Sequence, residues 1–376
     1  MDKTYRLETE DLERLLQLLQ GEGYETIGPT LGNGTIVYDK ITTAKDLPKG
    51  WTDEEEPASY RISNNGGERM FGYTLAPQSW KRFLYPPLRE LFSIRRNGKS
   101  FETLRTDSEE KKFAFIGVRP CELSAVLIQD KVFTAGEYRD DDYLSRRRNA
   151  FIVAVNCANA GANCFCLSMN TGPKAGEGFD IALTEVVNDG GHYFVAEAGT
   201  DKGATLLERT GGIAASERER GEAEEVVERT ASQITKSLDT RGLQEILAEN
   251  QESPHWDDVA KRCLTCGNCT MVCPTCFCAA VEDSTDLSGK TASRTRRWDS
   301  CFTLDFARVS GGNFRITPKS RYRQWLTHKL SSWVEQFGIF GCVGCGRCIT
   351  WCPVGIDITA EVSAIKGERV KQEKGA

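Results

Sequence analysis

Cys263-Leu264-Thr265-Cys266-Gly267-Asn268-Cys269-Thr270-Met271-Val272-Cys273-Pro274-Thr275-Cys276-Phe277-Cys278 is the stretch on which the fold turns. Its first four thiols stand as C-x2-C-x2-C-x3-C before a proline, and the same spacing returns at Cys342, Cys345, Cys348, Cys352 and Pro353. Three thiols at steps of three wrap one cubane iron–sulfur cluster, and the proline turns the fourth toward a neighbouring cluster. The spacing therefore predicts two 4Fe-4S clusters with exchanged ligands. Cys263, Cys266, Cys269 and Cys352 are expected on one, and Cys342, Cys345, Cys348 and Cys273 on the other. Zinc is the competing metal, but its usual signature is well-separated C-x2-C pairs, often with histidine, and neither run has that form.

The surrounding chain has 376 residues, room for two or three domains and a substantial core. A net charge of -6 and a pI near 5.5 argue against a nucleic-acid surface. Met1-Asp2-Lys3-Thr4 leads into charged residues with no apolar signal segment, and apolar runs such as Phe151 to Val155 are too short to cross a bilayer. A cytoplasmic protein with no membrane span is expected, and there 15 cysteines point to metal rather than disulfides. No thiol precedes Cys121 and 11 of the 15 lie from Cys263 onward, so thiol density divides the chain into domains at 1–250 and 251–376.

In the first domain, Thr9 is a candidate cap for a helix with Leu12, Leu15, Leu16 and Leu19 on one stripe and Gly21 at its stop. Tyr24 to Ile27 and Thr35 to Tyr38 predict a hairpin turning near Gly32-Asn33-Gly34. Trp80, Phe83, Leu84, Leu88, Leu91 and Phe92 have the spacing of an amphipathic helix broken at Pro86-Pro87. Phe113 to Val118, Glu122 to Gln129 and Phe151 to Val155 predict strand, helix and parallel strand. Cys121 follows the first strand and Cys157 the second, with Cys164 and Cys166 in the same loop. Parallel strands bring both loops to one sheet edge, so these four thiols are expected to converge as ligands of a third cluster. Ordinary buried free cysteines would account for one or two of them, not for four at matched strand ends. Phe179 to Val187 and His192 to Ala196 predict a further hairpin, and Ser216 to Asn250 two charged helices joined near Arg241-Gly242.

The second domain reads as a polar loop from Asp283 to Ser293, then Arg294 to Phe306. A helix from about Arg321 to Phe337 is expected to bury Trp325, Leu326, Leu330, Trp333 and Val334, and a closing helix to be capped by Asp357. Helices joining two cluster loops describe an alpha-helical ferredoxin domain, and the whole chain is expected to be α+β, with a mixed α/β first domain. No G-x-G-x-x-G follows a strand, and Ser284 to Thr291 only grazes the phosphate-loop pattern. Cys276, Cys278 and Cys301 remain unassigned. They fit small buried apolar residues most simply, and also redox-active thiols or an incomplete cluster site completed by Asp299 or a partner. Arg294, Arg296 and Arg297 are candidates to neutralise cluster charge, and Ile349 and Trp351 candidates for a partner surface.

The combination Gly117-Val118-Arg119-Pro120-Cys121-Glu122-Leu123, Asn163-Cys164-Phe165-Cys166, Cys273-Pro274-Thr275-Cys276-Phe277-Cys278, Trp298-Asp299-Ser300-Cys301 and Gly341-Cys342-Val343-Gly344-Cys345-Gly346-Arg347-Cys348 resembles the beta subunit of sulfhydrogenases. These are NAD(P)-linked nickel–iron hydrogenases, and the A subunit of anaerobic sulfite reductase is a relative. The likeness runs from about Phe113 to Ile358. It implies a cytoplasmic heterotetramer in which this chain passes electrons onward; the three 4Fe-4S clusters and the lack of bond-making chemistry of its own are expectations from its thiol sets and absent catalytic motifs. The implied partners are a flavin- and NAD(P)-binding gamma subunit and the small and large subunits of a nickel–iron module. A sulfite reductase subunit, a solitary reductase using Cys276 or Cys278, and a zinc-stabilised scaffold are the alternatives.

Overall fold

The computed structural model describes residues 4–105 and 111–375. The apolar run Phe113–Val118 forms a strand buried along its whole length, as expected where helices and loops cover both faces of a parallel sheet. It pairs in parallel with Ala150–Val155, and the Pro120–Thr134 helix crosses between them. Pro120 occupies the first helical position, where its missing N–H costs nothing, and Cys121 follows in the first turn. Eight strands complete the sheet in the spatial order 213–214, 4–8, 191–198, 181–188, 150–155, 113–118, 25–32, 35–40. Both expected hairpins are present, from Glu25–Gly32 to Thr35–Lys40 and from Ile181–Asn188 to Gly191–Ala198.

Leu12, Leu15, Leu16 and Leu19 of the Thr9–Gly21 helix are all buried against this sheet. The cap is Glu8 rather than Thr9, because Glu8 and Asp11 bond each other's backbone N–H reciprocally. The helix expected across Trp80 to Phe92 is instead a single turn, Lys81–Leu84, followed by the Leu88–Asn97 strand. Pro86-Pro87 ends the helix, and the residues beyond it alternate along a strand whose partner lies about two hundred positions away. That partner is the supposed polar loop. Ala279–Thr285 and Thr291–Trp298 form a hairpin whose second strand pairs with Leu88–Asn97, giving a four-stranded antiparallel sheet shared by the two halves of the chain.

Apart from that hairpin and a short antiparallel pairing of Arg308–Val309 with Gly312–Asn313, the regular elements of the C-terminal part are helical. Pro318–Thr327, a π-helical turn at His328–Ser332 and Trp333–Phe337 run on as one rod. It buries Tyr322, Trp325, Leu326, Leu330 and Trp333, with Val334 half-buried. Asp357 caps the closing helix through Thr359 N–H at 2.9 Å. Leu238, Leu243 and Leu247 share this second core with Trp256, Ile358 and Ile365. The architecture is α+β, and among the described residues no helix is long and apolar enough to cross a membrane.

Candidate metal centres

The two cysteine runs adopt matching backbones. Each sends the residue before its second thiol into the left-handed region, Thr265 at φ 52° and Gly344 at φ 64°, and each starts a helical turn from a glycine at φ 78°, Gly267 and Gly346. The first of these reversals aims backbone N–H groups at sulfur, Thr265 donating to Cys263 Sγ at 3.4 Å and Gly344 to Cys342 Sγ at 3.5 Å; past the second run, after Gly355 at φ 65°, Ile356 donates to Cys352 Sγ at 3.4 Å. Cys263, Cys266, Cys269 and Cys352 line one cavity, so the structure brings this predicted set together across more than eighty residues of sequence. Cys342, Cys345, Cys348 and Cys273 are likewise mutual electrostatic neighbours. Cys348 also feels Cys269 and borders the first cavity, so the two sets adjoin.

Burial holds Cys269 and Cys348 well above the ordinary thiol value and pushes Cys342 to about 12. A bound metal must therefore drive their deprotonation. Cys273 is the exception. A hydrogen bond from Cys276 holds it well below the ordinary value, with help from Lys329 and Thr275. Lys329 Nζ lies 3.1 Å from Cys273 Sγ and also donates to Gly341 O and Thr275 Oγ1, each at 3.2 Å. This ammonium is buried, and although burial alone would lower its pKa, the thiols Cys273, Cys276 and Cys342 more than reverse that.

Cys121, Cys157, Cys164 and Cys166 also come together, at the carboxyl ends of the two parallel strands. Cys121 and Cys164 each sense both Cys157 and Cys166, and burial raises all four. The second cysteine run lies directly against them. Phe165 N–H donates to Gly344 O at 2.8 Å, Thr171 Oγ1 to Val343 O at 2.6 Å, and Cys164 Sγ approaches Cys345 O at 3.9 Å. The approach requires glycine: a Cβ on Gly344 would meet Phe165 O at 2.6 Å and one on Gly346 would meet Asn163 O at 2.5 Å. Arg347 and Glu122 fasten the same contact, forming a 2.6 Å ion pair in which both side chains are 1% exposed. Tyr38 and Trp80 also donate to Glu122, at 2.7 and 3.0 Å.

All 15 cysteines are free of disulfides. Among the described residues no three His, Cys, Asp or Glu side chains form a group that could hold a single metal ion. Lys329 and Lys81, which donates to Cys273 O and Cys276 O at 3.0 and 2.9 Å, escaped the sequence reading. A signal existed for the first: Lys329 sits four residues from both Trp325 and Trp333, in the middle of an apolar stripe. Other candidates are occupied elsewhere. Arg294 and Arg297 pair with Asp283 and Glu282 of their own hairpin, and Arg296 with Asp140. Ser284 to Thr291 is part of that hairpin, not a phosphate loop. Ile349 is fully buried and Trp351 packs on Tyr60 at 5.0 Å between ring centroids, so the partner surface expected there is not formed by Ile349.

Residues 262–356 match the family model of a 4Fe-4S dicluster domain. Over 318 residues the chain is 36% identical to sulfhydrogenase 2 subunit beta of Pyrococcus furiosus, an alignment that covers 83% of this chain and 91% of that protein. No solved structure matches.

Proposed function

The chain belongs to the family of sulfhydrogenase beta subunits and is an iron–sulfur electron-transfer subunit, and from that premise we propose that it relays electrons within a cytoplasmic, heterotetrameric NAD(P)-linked nickel–iron hydrogenase. Its partners in this reading are a flavin- and NAD(P)-binding gamma subunit and the small and large hydrogenase subunits. The two interlocked thiol sets of the 251–376 domain and the Cys121, Cys157, Cys164 and Cys166 set of the 1–250 domain each hold a 4Fe-4S cluster. Bound there, such clusters supply one-electron donor and acceptor chemistry.

The observation that carries this reading is the contiguity of the three sets. Cys348 adjoins Cys269 on one side, and Cys345 adjoins Cys164 on the other. The protein's own work is to gather the thiols, aim N–H groups at sulfur, exclude water and offset negative charge with Lys329. At one end Cys266 is exposed beside Leu264 and Val354, 61% and 40% exposed, an apolar rim for one partner. At the other end Leu167, 42% exposed, follows Cys166.

Replacing Cys164 by serine tests the third set: about four irons per chain should be lost, and unchanged iron would refute the assignment. Chains that co-purify decide the context. A nickel–iron large subunit is expected, and a sirohaem subunit would overturn the hydrogenase reading. Turnover of NAD(P)H and substrate by the isolated chain would overturn the relay.

A further inference from the structure

The three cysteines outside the cluster sets share one cavity. Cys276, Cys278 and Cys301 line a space of about 510 Å³ together with His328, Lys329, Trp325 and Trp333. The base of the Ala279–Trp298 hairpin borders it at Ala279, which lies opposite Trp298, and Asp299 N–H donates to Cys278 O at 2.9 Å. That base holds Cys301 against Cys278, and their side chains hydrogen-bond. The far wall is the rod's π-helical turn, a local irregularity often found at functional sites, which includes both His328 and Lys329.

Three further observations call for an anionic, sulfur-rich guest. Lys81 and Lys329 are buried, 4% and 3% exposed, and neither has a carboxylate in ion-pair reach among the described residues. Desolvated ammonium groups need negative charge nearby, and the thiols supply it: Cys276, Cys273 and Cys278 face Lys81 behind the cavity, and Cys273, Cys276 and Cys342 face Lys329 on its wall. The indole Nε1 atoms of Trp325 and Trp333 are buried without an acceptor, although both residues line the cavity. Such N–H groups are suited to sulfide. His328, finally, is unlike the other two histidines. His192 and His255 are bound to Glu185 and Glu361 at 2.9 and 2.6 Å, whereas His328 bonds Gln336. A partner on one ring nitrogen leaves the other available, the arrangement of a metal-ligating imidazole.

We propose that Cys276, Cys278, Cys301 and His328 hold a fourth iron–sulfur cluster, bound by three thiolates and one imidazole. The cavity they line, about 510 Å³, is far larger than one ion needs. Cys301 and Cys276 neighbour Cys269 and Cys273, so this cluster would stand beside both ferredoxin-type sets as a branch rather than extend their line. The site rests on the reading that the other sets hold clusters, but its test is separate: Cys164→Ser reports on that reading and Cys301→Ser on this one.

Iron, acid-labile sulfide and zinc are measured on the anaerobically isolated full chain. Cys301→Ser is expected to lose about four irons and four sulfides relative to wild type. Equal iron in both, or loss of one zinc without sulfide, overturns the proposal. His328→Cys guards against a folding defect, because it keeps four donors. It should retain all iron while the midpoint potential of one cluster falls and its EPR signal changes, since imidazole in place of thiolate raises potentials. Unchanged potentials and spectra in His328→Cys would overturn the histidine ligand.

Discussion

Lys329→Met removes a buried positive charge from beside one cluster while keeping nearly the same volume. Nζ lies 3.1 Å from Cys273 Sγ. A cluster held by that sulfur would carry an added electron somewhat beyond it, and at a separation of about 6 Å a unit charge at an effective dielectric of ~20 contributes about 2.8 kcal/mol. For a one-electron couple that is about 120 mV, at 59 mV for each tenfold. The lysine is 3% exposed, so water screens little of it. Taking the charge away makes reduction harder, and the midpoint potential should fall by on the order of 100 mV. The assay is an anaerobic EPR redox titration, following the signal that disappears in Cys273→Ser. Lys329→Arg keeps the charge and should recover most of the shift. A change below about 30 mV with full iron content, a quarter of the Coulomb figure, would refute the placement of a cluster on Cys273.

Gly346→Ala sets a Cβ 2.5 Å from Asn163 O at φ 78°, where neither backbone can yield. It should cost about 2–4 kcal/mol, and a melting temperature equal to wild type would contradict the close packing of the two loops. Glu122→Leu strands the Arg347 guanidinium in a site that is 1% exposed and should cost about 3–5 kcal/mol in denaturant titration. The double variant Glu122→Leu/Arg347→Met should recover much of that, and a single-variant cost under about 1 kcal/mol, the level of an exposed pair, would show the pair is not desolvated. Glu219 is held at about 2 by its hydrogen bond to Arg6, below the ordinary 4.5. A depressed carboxylate contributes stability that is present above 4.5 and lost as pH falls toward 2, so Glu219→Gln should flatten that part of the pH–stability curve. An unaltered acid limb would show that the Arg6 contact is not kept in solution.

The cysteine runs could be read without coordinates because a cube of fixed size imposes fixed steps on the chain that wraps it, and the matching φ values at Thr265, Gly344, Gly267 and Gly346 follow from the same local demand. The leucine stripe of the first helix and the strand–helix–strand around Cys121 and Cys157 were legible for a similar reason: period and order along the chain decide them. Other features depended on partners far away in sequence. Trp80 to Phe92 has apolar spacing that suits a helix or a strand, and the answer came from the 291–298 strand that pairs with it. Lys81, Glu122 and Arg347 carry no local mark of burial, and for Lys329 the flanking apolar stripe is the one local sign. Only the assembled fold decided that they lie among the thiols, and that Cys276, Cys278 and Cys301 face a common cavity with His328. Ligand spacing is a property of a short segment, whereas dielectric, charge compensation and the meeting of separate segments are properties of the whole packed chain.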